Sequence, residues 1–278
     1  MSARAVAAPG ANQDALPRRS DRFFRGFRKY ARRYIRKNFH AMRIDKGGAL
    51  SPPPDGPLIV VMNHPSWWDP MTAVVLSGLM PPERAHYAPM DAGGLAQYRF
   101  MEWLGIFGIE LGTTRGGLAF VRRCGAVLAR PESVLWITAQ GRFTDPRVRP
   151  TRFKDGLGHL LHRSSNLTVV PLAIEYPFWN DRLPELLVRF GPLIPVGDGS
   201  SCSSTDWIRR MEAALEVEQD RLAEAARRRD PSAFEVLIGG TAGVGGAYDV
   251  GRRLLASVRG RRFVADHQAH QTTSDTQP

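Results

Sequence analysis

The sequence has little cysteine and no long uninterrupted apolar run, and each shortage excludes a class of protein. Two cysteines among 278 residues, Cys124 and Cys202, cannot form the disulfide framework of a small secreted domain, and they fit a reducing compartment. No run approaches the roughly 18 consecutive apolar residues that a membrane-spanning helix needs. The first charged residues are not followed by an apolar signal core, so we expect no export.

Acidic residues are almost missing from residues 18–43, which hold 11 Lys or Arg against the single acid Asp21. This segment supplies +10 of the net charge of +11, so the rest of the chain is close to neutral. A charge excess confined to one segment indicates an anionic partner surface.

Aromatic residues at three- and four-residue spacing, namely Phe23, Phe27, Tyr30 and Tyr34, predict a helix over residues 21–39. We favour a helix lying in the interface of an anionic membrane, which makes the protein peripheral to the cytoplasmic face of the cell membrane. A helix packed on its own domain, with a solvated basic face, remains open. We expect no nucleic-acid partner, because no nucleic-acid-binding motif accompanies the basic residues.

The composition, with 43% apolar and 23% charged residues, is that of a globular protein. Strand patterns alternate with helix patterns, which predicts a single α/β domain with a mixed, largely parallel sheet flanked by helices. The predicted organisation is a disordered start (1–20), the basic amphipathic membrane-associating segment (21–50), the main domain (51–235), a Gly/Arg-rich segment (236–265) and a disordered tail (266–278).

The main domain is organised around an apolar run at residues 58–62 and the polar residues that follow it. The run predicts a buried strand, and Pro65 and Ser66 predict that the strand stops and a helix is capped. His64 and Asp69 then lie at the edge of a sheet, where the chain can fold the carboxylate back onto the imidazole. A carboxylate on one ring nitrogen fixes the tautomer and leaves the other nitrogen free as a base.

These residues resemble the His-x4-Asp block of the lysophospholipid (glycerolipid) acyltransferases, the family that includes 1-acylglycerol-3-phosphate O-acyltransferases. Residues 104–117 are similar to the second block of that family, in which a Gly-Phe run leads to an arginine, here Arg115. A guanidinium flanked by small residues suits an oxyanion. The alternative for Arg115 is a surface residue in a Gly-rich turn.

The third block of the family, Phe-Pro-Glu-Gly-Thr-Arg, is altered in this sequence. Gly141 matches, but Ala139 replaces the proline, Gln140 replaces the glutamate, and Arg142 follows the glycine directly instead of one place later. An ordinary turn after a strand is the alternative here. The fourth block is a Val-Pro pair, and Pro171 inside a predicted strand indicates a sheet edge or a bulge.

The resemblance covers about residues 58–175 and implies an enzyme that moves a fatty acyl group from acyl-CoA or acyl carrier protein to the hydroxyl of a lysophospholipid, such as 1-acylglycerol-3-phosphate. His64 would be the general base and Asp69 would orient it, with no Ser or Cys nucleophile. The implied acceptor site contains Arg115, Gln140, Gly141 and Arg142, of which Arg115 and Arg142 would hold a phosphate.

The implied partners are membrane lipids and the acyl donor, and neither a cofactor nor a metal is expected. The altered third block keeps open another hydroxyl lipid as acceptor, such as a glycolipid, a hydroxylated isoprenoid or a lyso-aminolipid. A non-catalytic lipid-binding protein on the same scaffold is a further alternative, as is a purely structural histidine at position 64. The oligomeric state does not follow from the sequence.

Overall fold

A computed structural model describes residues 16–48, 50 and 55–240 of the chain. The predicted disorder of residues 1–15 and 266–278, and most of the Gly/Arg-rich segment, lie outside these residues. The prediction of disorder is wrong for residues 16–20, because Arg19 forms a β-bridge with Leu104 and the Ser20 N–H donates to the carbonyl of Trp103. Those partners are distant in sequence, so no local pattern signals them.

The described residues form helices and strands. The helices are α1 Asp21–Asn38, α2 Asp69–Leu76, α3 Ala92–Gln97, α4 Thr114–Leu128, α5 Gly156–His162 and α6 Ser204–Arg228. The strands are β1 Ala41–Asp45, β2 Leu58–Met62, β3 Ala85–Asp91, β4 Ile106–Ile109, β5 Ser133–Thr138, β6 Ser165–Glu175, β7 Glu185–Phe190, β8 Ile194–Asp198 and β9 Phe234–Gly239. From β2 to β6 the strands and helices alternate, as the sequence predicts, whereas β1 precedes β2 directly and β6, β7 and β8 are consecutive strands.

The strands build one mixed sheet in the order β4-β3-β5-β2-β6-β7-β1-β9, and β8 pairs with β6 beside β7. The run from β4 to β6 is parallel, β7 and β1 are parallel to each other, and the pairings of β6 with β7 and β8 and of β1 with β9 are antiparallel. The expected α/β domain with a mixed, largely parallel sheet is confirmed.

Helices cover both faces of the sheet, and the alternation of side chains along β2 shows the division. Val60 points into an apolar core shared with α1 and α2, whereas Ile59 and Val61 point into a second core shared with α4, α5 and α6. Every residue of β2 is buried because it has a neighbouring strand on each side and a core on each face.

The helix α1 belongs to this domain. Ser20 caps its first turn by accepting the Phe23 N–H, and Phe24, Ala31 and Ile35 are buried in the same core as β2. None of the helices in the described residues is long and apolar enough to cross a membrane.

Two strands extend the sheet beyond the predicted domain boundaries at residues 51 and 235. The strand β1 lies inside the segment predicted to associate with a membrane, and β9 runs across the boundary at 235. The strand β1 is not predicted from the sequence because it contains two charged residues, Arg43 and Asp45. Both are buried and ion-paired, Arg43 with Glu185 and Asp45 with Arg189.

The expectation that Pro171 lies at a sheet edge or in a bulge is wrong. It lies within β6, opposite Val61 of β2, in the middle of the sheet. On the other side of β6, the pairing with β8 ends at Val169 and the pairing with β7 begins at Leu172. Pro171 therefore sits where the partner strand changes, and the missing N–H breaks no ladder bond, while its carbonyl accepts the Gly191 N–H at 2.8 Å.

Candidate active site

Three adjacent parallel strands, β5, β2 and β6, end at the same edge of the sheet, and the chain after each supplies part of one site. Asn63, fully buried, follows β2. Its side-chain amide donates to the carbonyl of Ile174 at 2.9 Å and accepts the N–H of the same residue at 2.8 Å. These two hydrogen bonds continue the β2–β6 backbone pairing through a side chain, and they fix the turn that contains His64.

His64 and Asp69, the predicted dyad, are in contact. The Nδ1 atom of His64 is 2.6 Å from Oδ2 of Asp69, and the side chains are 19% and 1% exposed, respectively. A carboxylate accepts only, so it favours the tautomer with the proton on Nδ1 and leaves Nε2 as the basic nitrogen. Ser66 does not cap α2 with its hydroxyl as expected; its backbone N–H instead donates to Oδ2 of Asp69 at 3.2 Å.

Asp69 has a further partner that sequence reasoning missed. The hydroxyl of Tyr176, directly after β6, donates to Oδ1 of Asp69 at 2.6 Å. Burial raises the pKa of Tyr176 well above its usual range, with the nearby charge of Asp69 as a second cause. The phenol is therefore neutral and remains a donor. The hydroxyl of Thr72, one turn into α2, lies 3.2 Å from the phenol oxygen.

The segment after β5 contacts both the backbone and the ring of His64. The side-chain oxygen of buried Gln140 accepts the His64 N–H at 2.8 Å, and the Thr144 N–H donates to the His64 carbonyl at 2.9 Å. The ring of Phe143 lies 4.4 Å from the imidazole, measured between centroids. Gln140, predicted at the acceptor site, thus contacts the backbone of the proposed base.

The other predicted acceptor residues occupy different positions. Gly141 has φ +64°, and a Cβ there would lie 3.1 Å from the Lys154 side chain. A glycine is therefore needed for the conformation of the turn. Arg142 and Arg115 are exposed, and neither forms an ion pair with any residue that the structure describes. The N-terminus of α4, which carries Arg115, is capped by Thr113 through the Gly116 N–H.

A carboxyl group with an unusual pKa lies beside the site. Burial raises the pKa of Glu175, the last residue of β6, to about 7, although the positive charges of Arg149 and Arg147 oppose the shift. Both arginines belong to the loop between β5 and α5. That loop is tied to α6, where Glu216 accepts the Thr151 N–H at 2.6 Å.

Large aromatic side chains are exposed in each of the segments that follow β2, β5 and β6. Trp67 is 58% exposed, Phe143 61% and Phe178 63%. From Trp67, rings in contact run through Trp68 and Tyr34 onto α1, with centroid distances of 5.6 and 5.4 Å. Two open clefts lie away from His64, one along α1 and one between α4 and α5.

Comparison with known proteins shows the family of this chain, in which a histidine, a buried carboxylate and two flanking loops meet. A family model described as Acyltransferase matches residues 36–175, half of the chain. The chain belongs to the Acyltransferase family. It is an enzyme that transfers acyl groups, as the blocks around His64, Arg115, Gly141 and Pro171 predict.

Among solved structures, this acyltransferase is similar to the crystal structure of the 1-acyl-sn-glycerophosphate (LPA) acyltransferase, PlsC, from Thermotoga maritima. The sequence identity is 16%, the TM-score is 0.47, and the similarity covers 73% of this chain and 79% of that chain. Comparison with curated proteins gives no match.

The family match begins in α1 and ends at Glu175, so it spans β1 as well as the strands that carry His64 and Gln140. It includes Arg115 and Arg142 and stops one residue before Tyr176. Among the residues that the structure describes, His, Cys, Asp and Glu side chains nowhere gather in groups of three or more that suit a metal ion.

Proposed function

We propose that this acyltransferase moves a fatty acyl group from a thioester donor, acyl-CoA or acyl carrier protein, to the hydroxyl of a lysophospholipid such as 1-acylglycerol-3-phosphate. The observation that carries the proposal is the 2.6 Å contact between His64 Nδ1 and the buried carboxylate of Asp69. It leaves the basic Nε2 on a partly exposed ring at the end of β2.

In the proposed reaction, Nε2 of His64 takes the proton from the lipid hydroxyl while its oxygen attacks the thioester carbonyl. A carbon–oxygen ester bond forms, the carbon–sulfur bond breaks, and the imidazolium returns its proton to the leaving thiolate. Asp69 stabilises the imidazolium between these steps. General-base assistance of this kind is typically worth about 10²–10⁴-fold in rate.

Two exposed arginines support an acceptor with an anionic headgroup. Arg115 lies in the first turn of α4 and Arg142 follows β5, both at the edge of the sheet where His64 lies, and neither is neutralised by an ion pair within the described part of the chain. A planar guanidinium binds phosphate oxygens in pairs.

A second candidate acceptor, a hydroxyl lipid without phosphate, is favoured by the altered third block. Gln140 carries no charge and its oxygen already accepts the His64 N–H. At the sequence position where the third block of the family has its arginine, this chain has Phe143, whose ring contacts the imidazole of His64. Glycolipids, hydroxylated isoprenoids and lyso-aminolipids belong to this candidate class.

We also propose that the protein associates peripherally with the cytoplasmic face of the membrane through α1. The helix buries one face in the core and exposes Arg22, Arg25, Lys29, Arg32, Arg33, Arg36 and Lys37. Beside this basic surface, Phe23 meets Trp103 edge to face at 5.3 Å, and an open cleft of about 530 Å³ follows these rings along α1. Basic and aromatic side chains side by side suit the headgroup region of an anionic bilayer.

The test is an acyl-transfer assay with purified protein, palmitoyl-CoA and three acceptors: lysophosphatidate, a monoacylglycerol and a lyso-aminolipid. The wild-type protein forms ester product with at least one of them, and His64→Ala lowers kcat at least about 10²-fold. His159→Ala, which changes an exposed histidine of α5, is the matched control and retains activity.

A His64→Ala variant as active as the wild type would refute the mechanism. Absence of product with every acceptor, with palmitoyl-CoA and with palmitoyl acyl carrier protein, would favour a non-catalytic lipid-binding role. Preference for lysophosphatidate over the two phosphate-free acceptors decides between the two acceptor classes.

A further inference from the structure

The geometry points to Tyr176 and Thr72 as a positioning pair that holds Asp69 in its working orientation, an inference that rests on the acyl transfer proposed above. Neither residue belongs to the His-x4-Asp block. Tyr176 reaches Asp69 only because the sheet brings the end of β6 beside the end of β2.

Each oxygen of Asp69 has its own donors. Oδ2 accepts from Nδ1 of His64 at 2.6 Å and from the Ser66 N–H at 3.2 Å, and Oδ1 accepts from the Tyr176 hydroxyl at 2.6 Å. Rotation of the carboxylate breaks all of these bonds together. The Tyr176 bond therefore fixes the plane in which Oδ2 faces His64.

The Tyr176 hydroxyl also compensates the burial of the Asp69 carboxylate. The Asp69 side chain is 1% exposed, so no bulk water compensates the charge. A hydrogen bond to the charged form of a buried carboxylate offsets part of the cost of removing that charge from water. Without the Tyr176 hydroxyl, the carboxylate keeps the Ser66 N–H, His64 and the N-terminal turn of α2 as its favourable partners among the described residues.

Thr72 completes the pair from the other side. Its hydroxyl lies 3.1 Å from the carbonyl of Trp68 and 3.2 Å from the oxygen of Tyr176, and Thr72 is fully buried. The phenol gives its single proton to Asp69, so towards Thr72 it can only accept, and the single proton of Thr72 is shared between the Trp68 carbonyl and the phenol oxygen. The contact locates the phenol against α2, the same helix that begins with Asp69.

The strand β6 consequently holds the dyad at both ends. Its residue Ile174 is bonded to Asn63, which fixes the backbone before His64, and Tyr176, two residues later, is bonded to Asp69. Successive side chains of a strand point to opposite faces, so residues 174 and 176 share one face. The end of β6 and the residue after it thus hold both the turn before His64 and the carboxylate of Asp69.

The experiment measures Tyr176→Phe, which removes one oxygen and keeps the ring that packs against Phe39 at 5.7 Å. With palmitoyl-CoA and the acceptor that the wild type uses, we expect kcat to fall about tenfold or more, with KM within about twofold, because positioning acts on the transition state. Thr72→Val shows a smaller loss in the same direction, and Thr72→Ser, which keeps the hydroxyl, restores most of it.

Two readouts separate positioning from a merely structural role. Losing the donor displaces the Asp69 carboxylate relative to the imidazole of His64, so the acid limb of the pH profile of kcat moves in Tyr176→Phe. The ring nitrogens of His64, followed by NMR against pH on protein with ¹⁵N-labelled histidine, change their chemical shifts in Tyr176→Phe for the same reason. This titration needs no acceptor.

Tyr87→Phe, which removes the hydroxyl of a buried tyrosine in β3, is the control and changes none of these quantities. An unchanged kcat, pH profile and His64 titration in Tyr176→Phe would overturn the inference. If His64→Ala is inactive and Tyr176→Phe behaves as wild type, only the positioning pair fails; if His64→Ala is active, the proposed mechanism fails and the NMR titration alone decides the pair.

Discussion

Among single residues, Glu175 gives the clearest dependence of stability on pH. Burial raises its pKa from about 4.5 to about 7 in the native protein. Between these values the unfolded chain has released the proton and the native protein still holds it. The free energy of unfolding therefore falls as pH rises through this window, by at most about 1.4 kcal/mol per pH unit from this group.

The variant Glu175→Gln does not lose stability as pH rises, because a neutral amide has no charge to desolvate. We expect urea unfolding to give similar stabilities for variant and wild type at pH 4.5, and a more stable variant at pH 8. Glu235→Gln, at an exposed position of β9, is the control and shows no such difference between the two pH values. Equal stabilities of Glu175→Gln and wild type at both pH values would contradict the assignment.

At the same scale, the sequence predicts contacts between residues that are near in the chain and misses contacts between residues that are far apart in it. His64 and Asp69 are five residues apart, so a turn alone suggests their contact. Tyr176 is 107 residues from Asp69, and Gln140 is 76 from His64. Only the order of β5, β2 and β6 in the sheet places them together, and no local pattern contains that order.

At the scale of elements, apolar β-branched runs predict β2, β5 and β6 because these central strands are buried on both faces. The strand β1 is buried as well, but its pattern is interrupted by Arg43 and Asp45. A buried ion pair is indistinguishable in sequence from two solvated charges. Charged strands of this kind are therefore read as loops or surface segments until the partners, here on β7, are known.

The helix α1 is the element for which membrane association is predicted. At 100° per residue, Arg33 and Lys37 lie next to the aromatic stripe formed by Phe23, Phe27 and Tyr30. We expect the full protein to sediment with vesicles that contain phosphatidylserine more than with neutral phosphatidylcholine vesicles, and less so as salt is raised. Arg33→Gln combined with Lys37→Gln weakens this binding severalfold.

The matched control for α1 changes the same amount of charge on the opposite face of the sheet. Arg122→Gln combined with Arg163→Gln alters two exposed arginines that line the cleft between α4 and α5. Binding to the vesicles is retained in this variant if α1 is the contact surface. An equal loss in both double variants would assign binding to net charge, and sedimentation with DNA instead of vesicles would reverse the choice of partner.

At the scale of the whole molecule, α1 has two different faces with two different tasks. Phe24, Ala31 and Ile35 are buried in the core that also contains β2, while the basic residues face solvent. The two interpretations of the sequence, a membrane helix and a helix packed on its own domain, are therefore compatible. The packed face is observed, and the membrane face is proposed.

This division predicts that substitutions in α1 separate stability from membrane binding. Ile35 is completely buried, so Ile35→Ala leaves a cavity and lowers the free energy of unfolding by about 2–5 kcal/mol in urea. Tyr30 is 52% exposed, so Tyr30→Ala changes stability by at most about 0.5 kcal/mol but weakens vesicle binding. If residues 21–50 were an appendage independent of the sheet, Ile35→Ala would leave the unfolding of the domain unchanged; the continuity of the core from Ile35 to β2 argues for a single cooperative transition that includes α1.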